Sequence, residues 1–252
     1  MLGESAAFPA RLLRHASAEG AWNMAVDEAL MASAGASGVA VLRLYAWSEP
    51  TLSLGYFQRY ADRDLHAASR SCALVRRMSG GGAILHDREA TYSLVLPTTH
   101  PAAEQPASLY TLAHEIAIGL IGDSRAQLAP APTASVAAEP FLCFQRRAAG
   151  DVLSGGQKVL GSAQRRRSGA ILQHGSLLWE ASVCAPELPG LINVQPELAA
   201  IDQSALMERW ATAMARRLGF SLVESELSQE ERKTVQRLRA EKYASDTWTR
   251  RR

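Results

Sequence analysis

Cysteine is scarce in this chain of 252 residues, and its scarcity excludes two chemistries. Cys72, Cys143 and Cys184 are odd in number, far apart and in no Cys-x-x-Cys pattern, so neither a disulfide framework nor a zinc site follows. A reducing compartment, the cytoplasm, is the expected location. Long apolar runs are also missing. No stretch approaches roughly 18 apolar residues, so no membrane-spanning helix is expected. Met1 to Ala16 lacks the apolar core of a secretory leader. An excess of one sign of charge is nearly absent: the net charge is +2, too small to argue for nucleic acid. The six histidines are scattered, with no carboxylate at a fixed spacing, and propose no metal site. No internal repeat or linker is visible. The composition, 47% hydrophobic and 21% charged, is that of an ordinary globular protein.

The stretch that stands out is Arg76-Arg77-Met78-Ser79-Gly80-Gly81-Gly82-Ala83-Ile84-Leu85-His86-Asp87. Three consecutive glycines permit positive φ and close approach of a ligand. Bare amide N–H groups and arginine forks suit a carboxylate, phosphate or carbonyl. The glycines alone read as a tight turn between strands; with two arginines before them and His86-Asp87 after, they read as a site for a small acid or acyl group. No Gly-Lys-Ser/Thr follows and the spacing is not G-x-G-x-x-G, which excludes a Walker loop and a dinucleotide fingerprint. Two basic clusters, Arg165-Arg166-Arg167 and Arg250-Arg251-Arg252, are either solvated surface or contacts for an acidic protein partner.

Periodicity places the rest. Helices are expected over 23–32, ended by Gly38, over 62–69, over 109–121 with Leu112, Ile116 and Leu120 on one stripe, and over 204–218 with Leu206, Trp210, Met214 and Leu218 at i, i+4 spacing. Ser228 to Glu231 is a capping-box signature for a last helix running to about Lys242. Strands are expected over 39–47, 51–58 (strand or loop), 73–76 and 91–96, then from Val152 a hairpin at Gly155-Gly156 and two runs, 158–165 and 169–180, joined by a basic turn. Residues 126–140 read as a loop and 186–196 as irregular. Together the strands suggest one sheet with the glycine turn at an edge, and the chain reads as α/β (α+β), strands mixed with helices over one core. A single catalytic domain spanning 1–252 is expected, with its core over about 20–220 and a C-terminal helix over about 228–243.

Cys143 and Lys158 are the pair that could carry covalent chemistry. A thiol reacts as its thiolate, and a thiolate can accept an acyl group from a thioester and pass it to an amine. A nearby ammonium could polarise the acyl carbonyl. Alone, Cys143 reads as a small buried hydrophobe between Leu142 and Phe144, and Lys158 as a solvated strand residue. Cys72 and Cys184 read as structural. His86 and His174 are the candidates for moving a proton near neutral pH, or are hydrogen-bonded structural histidines.

At these residues the chain resembles the lipoate-protein ligase and octanoyltransferase family. Arg76-Arg77-x-Ser79-Gly80-Gly81-Gly82-Ala83-x-x-His86-Asp87 is similar to the family's lipoyl-pocket signature. Asn23 to Glu28 resembles its opening helix, Pro50 to Gln58 the strand that follows, and Lys158 to Gln164 with Gln173 to Ser176 its lysine hairpin. The end of the chain, Glu241-Lys242-Tyr243 and Trp248-Thr249, resembles the cysteine-dependent octanoyltransferases. The resemblance implies the fold shared with biotin-protein ligases (class II synthetase-like), a mixed β-sheet flanked by helices with the acyl chain in a tunnel. It implies that Arg77, Ser79, Gly80, Gly81, Gly82 and His86 line the acyl or lipoyl pocket, that Gly161, Ser162 and Ala163 border it, and that His174 and Gly175 support it. Lys158 would hold the acyl carbonyl and Cys143 would be the nucleophile. The donor would be octanoyl-acyl carrier protein. The acceptor would be a lysine of an apo lipoyl domain, such as the glycine-cleavage H protein or a dehydrogenase E2 subunit. That lysine, with a free pKa of about 10.4, must first lose its proton. No cofactor, no nucleic acid, no membrane and a monomer are expected on this reading.

One segment departs from the transferase pattern. Gln145 to Asp151 lacks the proline and aromatic residues expected there, and Gly150-Asp151-Val152-Leu153 resembles the ligases, in which an acidic residue lies near the adenylate and its metal. An ATP- and Mg2+-dependent lipoate-protein ligase is therefore the alternative, with Asp151 near the metal and Cys143 incidental. A non-catalytic binder of lipoyl domains or acyl chains is the third reading.

Overall fold

The structure, a computed structural model, describes residues 7–131 and 139–252. Strands β1 (Phe8–Arg14), β2 (Ala40–Tyr45), β6 (Glu89–Pro97), β8 (Val152–Ser154), β9 (Gln157–Arg167), β10 (Ala170–Leu178), β7 (Gln127–Leu128) and β11 (Phe220–Glu224) form one eight-stranded sheet in the order β11-β1-β2-β6-β10-β9-β8-β7. β1 pairs in parallel with both β2 and β11; the other pairings are antiparallel. A second sheet holds β4 (Ala73–Arg76), β3 (Thr51–Leu54) and β5 (Ile84–His86) in the order β4-β3-β5.

Both faces of the large sheet are covered, which is why its central strand β6 is buried at every position. On one face lies α1 (Gly20–Ser37), whose Met24, Leu30 and Met31 pack with Val41, Val95 and Leu172 and with Val235 of α5 (Gln229–Leu238). On the other lie α2 (Pro106–Ile121) and α4 (Gln203–Arg217), packed on Leu42, Leu94 and Ile171. α3 (Leu191–Val194) and α6 (Asp246–Thr249) are single turns. No helix among the described residues is long and apolar enough to cross a membrane.

Several expectations change at this level. α1 extends beyond 23–32 at both ends, and Gly38 caps it with φ 73° as read. α2 turns a different stripe inward: Leu109, Ala113, Ala117 and Ile121 are buried, whereas Leu112, Ile116 and Leu120 are only partly so. The alanines let α4 come close enough for Trp210 Nε1 to donate to the Ala113 carbonyl at 2.9 Å. Residues 60–69 form 3-10 turns rather than an α-helix. Arg165 to Arg167 belong to β9, and the turn is Ser168-Gly169. The expected loop 126–140 contains strand β7, and its residues 132–138 lie outside the described residues. β1 and β11 were not expected, because Pro9 demotes the first as a strand and the second alternates weakly. The capping box holds: Ser228 Oγ accepts from Glu231 N at 3.1 Å and Glu231 Oε2 accepts from Ser228 N at 2.7 Å.

The glycine turn is not at an edge of the main sheet. It crosses from β4 to β5 over β3, and Ser79 in it is hydrogen-bonded to His174 of β10. The small sheet thus holds the turn above the middle of the large one.

Candidate active site

Neither arginine of the glycine motif is free to grip an anion. Arg76 is buried and donates to the carbonyls of Thr249, at 3.0 and 2.8 Å, and of Gly55 and Gln58, at 2.9 and 2.7 Å. Arg77 is buried and donates to the carbonyls of Ser53 (2.9 Å), Gly80 (2.8 Å) and Gly82 (2.6 Å). Burial pushes the Arg77 pKa down to about 10. Charge-assisted bonds from Arg77 therefore turn the glycine carbonyls inward. Among the described residues, no backbone N–H of Gly80, Gly81 or Gly82 is paired.

The turn also fixes the cysteine. Ala83 N donates to the Phe141 carbonyl at 3.0 Å, and Cys143 N donates to the Ala83 carbonyl at 2.7 Å. This short parallel bridge sets Cys143 at the start of a 3-10 turn, half-buried rather than sealed in the core, with a β-carbon at Gly81 standing 3.9 Å from its Sγ. The backbone of Gly55 passes so close that a β-carbon there would lie 2.0 Å from the Gly81 carbonyl oxygen. Gly55→Ala is thus expected to push the turn out of place and lower stability by about 1–3 kcal/mol, read by thermal unfolding; an unchanged melting temperature would contradict this packing.

Lys158 reaches the cysteine from β9. Its Nζ lies 3.8 Å from Cys143 Sγ and 3.3 Å from the Cys143 carbonyl oxygen. It is not solvated: it forms a buried ion pair with Asp151 Oδ2 at 2.8 Å. Asp151 Oδ1 accepts from Tyr110 OH at 2.7 Å and Oδ2 accepts from Ala148 N at 2.7 Å. Both carboxylate oxygens are therefore engaged, Oδ2 by the ammonium and Ala148 N and Oδ1 by Tyr110. Among the described residues, no group of three or more His, Cys, Asp or Glu side chains is arranged to hold a metal.

A narrow, largely apolar cavity of about 50 Å³ opens beside the thiol. Arg77, Gly80, Gly81, His86, Cys143, Gly161, Ser162, Ala163, His174 and Gly175 all line it. Ser79 and Gly82 do not: Ser79 lies beneath, 2.5 Å from His174 Nε2, and Gly82 backs onto Arg146 and the Cys143 amide. Its wall includes Met24, Tyr45, Trp47, Ile84 and Phe144, which sequence reasoning missed. Met24, Tyr45 and Trp47 lay in elements that were expected, whereas Ile84 and Phe144 lie in a strand and a 3-10 turn that were not, and only the fold aims all of them at one space.

The two histidines are held, not free. His86 is stacked on Trp47, with ring centroids 3.8 Å apart. Its Nδ1 donates to Glu89 Oε1 at 2.6 Å and its Nε2 lies 2.8 Å from Ser53 Oγ. Burial keeps it neutral by pushing its pKa down. His174 Nδ1 donates to Asp27 Oδ2 at 3.0 Å. Asp27 also accepts from Arg43 Nη1 at 2.8 Å and Ser93 Oγ at 2.9 Å. Burial favours its neutral form, but the bonds from His174 and Arg43 outweigh that and hold its pKa below the ordinary value. Asp27 had been visible only as a helix residue.

Ser162 is likewise engaged. His114 Nδ1 donates to the Gly150 carbonyl at 2.6 Å, so its Nε2 accepts from Ser162 Oγ at 2.7 Å. Ser162 then accepts from Tyr92 OH at 2.7 Å, and Tyr92 accepts from Gln173 Nε2 at 2.8 Å. Burial pushes the His114 pKa down to about 4 from 6.5. The unfolded chain binds a proton that the folded chain refuses, so stability is full above pH 6.5 and falls as pH drops toward 4. The expected loss from this residue is on the order of 3 kcal/mol. Melting temperatures between pH 7 and 4 should fall less steeply in His114→Asn; an identical slope would remove His114 from the account.

Comparison with known proteins adds to this geometry. The family profile described as Lipoyl protein ligase A/B catalytic domain matches residues 19–205. A protein of Kyrpidia tusciae named Octanoyltransferase LipM is 36% identical, with 94% of this chain and 97% of that protein covered. Its namesake in Moorella thermoacetica is 34% identical, over 91% of this chain and 93% of that protein. Among solved structures, a bi-partite lipoate protein ligase from Thermoplasma acidophilum superposes with a TM-score of 0.72 at 19% identity, covering 96% of each chain. A lipoate-protein ligase A bound with ATP gives 0.76 at 20% identity, covering 96% of this chain and 98% of that one. At such identities the structures establish the fold, and the sequence matches establish kinship: this chain belongs to the lipoyl protein ligase A/B catalytic-domain family.

Proposed function

We propose that this protein is an octanoyltransferase of protein lipoylation, moving an octanoyl group from acyl carrier protein through a Cys143 thioester to a lysine of an apo lipoyl domain. The observation that carries this reading is a half-buried thiol, 3.8 Å from a lysine ammonium, on the wall of a largely apolar cavity. Full-length relatives named as octanoyltransferases support it.

The chain's own groups divide the work. The apolar wall takes the acyl chain and leaves its thioester carbonyl at the glycine turn. Cys143 sulfur attacks that carbonyl; the C–S bond to the carrier breaks, and the proton lost by Cys143 ends on the carrier thiol. In the tetrahedral intermediate, negative charge develops on oxygen beside the unpaired N–H groups of the glycine turn and the Lys158 ammonium. The acceptor amine, once deprotonated, attacks the new thioester; an amide forms, and the thiol of Cys143 is regained. Because one thioester replaces another and an amide is the more stable product, neither step calls for ATP. Asp151 serves here as the carboxylate that orients Lys158.

The test is intact mass of an apo lipoyl domain after incubation with this protein and octanoyl-acyl carrier protein, without ATP. A gain of one octanoyl group is expected. Modification only with free lipoate and Mg-ATP would make the protein a ligase, and none under either condition would leave a binder.

A further inference from the structure

The two arginine clusters of the sequence meet on one half-buried ring, that of Tyr56. Arg165 lies 5.1 Å from the centroid of Tyr56, Arg251 lies 4.1 Å from it, and Arg252 lies 5.9 Å from it. The backbone holds this arrangement: Tyr60 N donates to the Arg252 carbonyl at 2.7 Å, and Trp248 Nε1 donates to the Arg76 carbonyl at 2.8 Å. Arg166 points to the other face of β9, and Arg167 is drawn away to Glu28 at 3.5 Å. Among the described residues, thirteen of the 24 arginines form an ion pair with a carboxylate, and Arg165, Arg251 and Arg252 are among the eleven that do not. Three guanidinium groups thus share one aromatic platform with their charge uncompensated.

This platform borders the lining of the cavity. Tyr56 and Phe57 are 4.9 Å apart, and Phe57 is 62% exposed. A β-carbon on Gly80, which lines the cavity, would lie 3.9 Å from the Phe57 ring, and Gly81 follows beside Cys143. A continuous strip therefore leads from cations to aromatic rings to the glycine turn and the thiol.

Resting on the octanoyltransferase reading, we infer that this strip docks the acyl donor, with Arg165, Arg251 and Arg252 binding the phosphate of its prosthetic arm and the acidic protein surface behind it. A carrier-protein thioester hangs from a phosphodiester-linked arm, and guanidinium forks match phosphate oxygens. The acceptor lysine carries no phosphate, so the donor fits this surface better than the lipoyl domain does. A cationic patch without ion-pair partners beside a site also raises the encounter rate of an anionic partner, in a salt-dependent way.

The experiment uses the full chain and follows Cys143 acylation by intact mass, with octanoyl-acyl carrier protein as one donor and octanoyl-pantetheine, which lacks the phosphate, as the other. In the triple variant Arg165→Glu/Arg251→Glu/Arg252→Glu, acylation from the carrier protein is expected to slow about 10-fold or more at low salt, and to lose its salt dependence. Acylation from octanoyl-pantetheine and transfer from acylated enzyme to the lipoyl domain should stay within about 2-fold. The triple Gln variant should show the same selectivity at smaller amplitude, so a folding defect in the charge-reversed protein does not hide the result. Equal losses with both donors, a loss confined to the lipoyl-domain step, or no loss each overturn the inference. A parent protein that neither donor acylates overturns the octanoyltransferase reading and this surface with it.

Discussion

Cys143→Ala abolishes octanoyl transfer, with an expected loss on the order of 10³-fold or more and no acyl-enzyme in the mass spectrum. The reasoning is geometric. Cys143 is the one cysteine on the cavity wall; Cys72 and Cys184 lie in a separate apolar cluster around the small sheet. Burial, with the neighbouring Cys184 thiol, raises the Cys72 thiol to about 12, so it stays protonated. The double variant Cys72→Ala/Cys184→Ala should retain the parent's acylation. Cys143→Ala should fold normally, because a half-buried thiol contributes little packing, and its melting temperature should stay near the parent's. Transfer at the parent rate by Cys143→Ala would remove the nucleophile while leaving the fold and family unchanged.

Lys158→Met has two expected effects that can be separated. Lys158 and Asp151 form a buried pair 2.8 Å apart, with their side chains 4% and 1% exposed. Removing one partner leaves the other charge buried, at a cost of about 3–5 kcal/mol. For a chain of this size that corresponds to a fall of roughly 10 °C in melting temperature. The acylation rate should fall about 10²- to 10³-fold, as when a donor to a developing oxyanion is lost. Adding Asp151→Asn removes the stranded carboxylate while an amide oxygen can still accept from Tyr110 OH. The double variant should regain much of the stability and none of the rate. Recovery of both together would make Lys158 a structural residue only.

The local features of this chain were legible because they are written in neighbouring residues. Gly38 as a helix cap, the Ser228–Glu231 box, the Gly155-Gly156 hairpin and the Leu206–Trp210–Met214 stripe depend on spacing over a few positions, and spacing is what sequence displays. The glycine motif, Cys143, Lys158 and the family were legible as patterns. Their chemical meaning was not. Arg76 and Arg77 read as anion-binding forks because exposed guanidinium groups bind anions; burial reversed this, since a guanidinium inside the protein must satisfy its donors, and backbone carbonyls were the available acceptors. Asp151 read as a possible metal neighbour because the segment resembles the ligases and sequence shows a carboxylate but not its partner: β8 pairs with β9, with Leu153 opposite Lys158, and the Lys158 ammonium reaches back to Asp151 at 2.8 Å. Parallel pairing of β1 with β11 joins residues more than 200 positions apart, for which no local cue exists. Sequence alone determined the main helices and most of the central strands, their order and the reactive residue types. The tertiary structure decided which side chains share the cavity, which charges are already spent on the fold, and which arginines remain for a partner, because burial and pairing are properties of the folded surface and not of the chain.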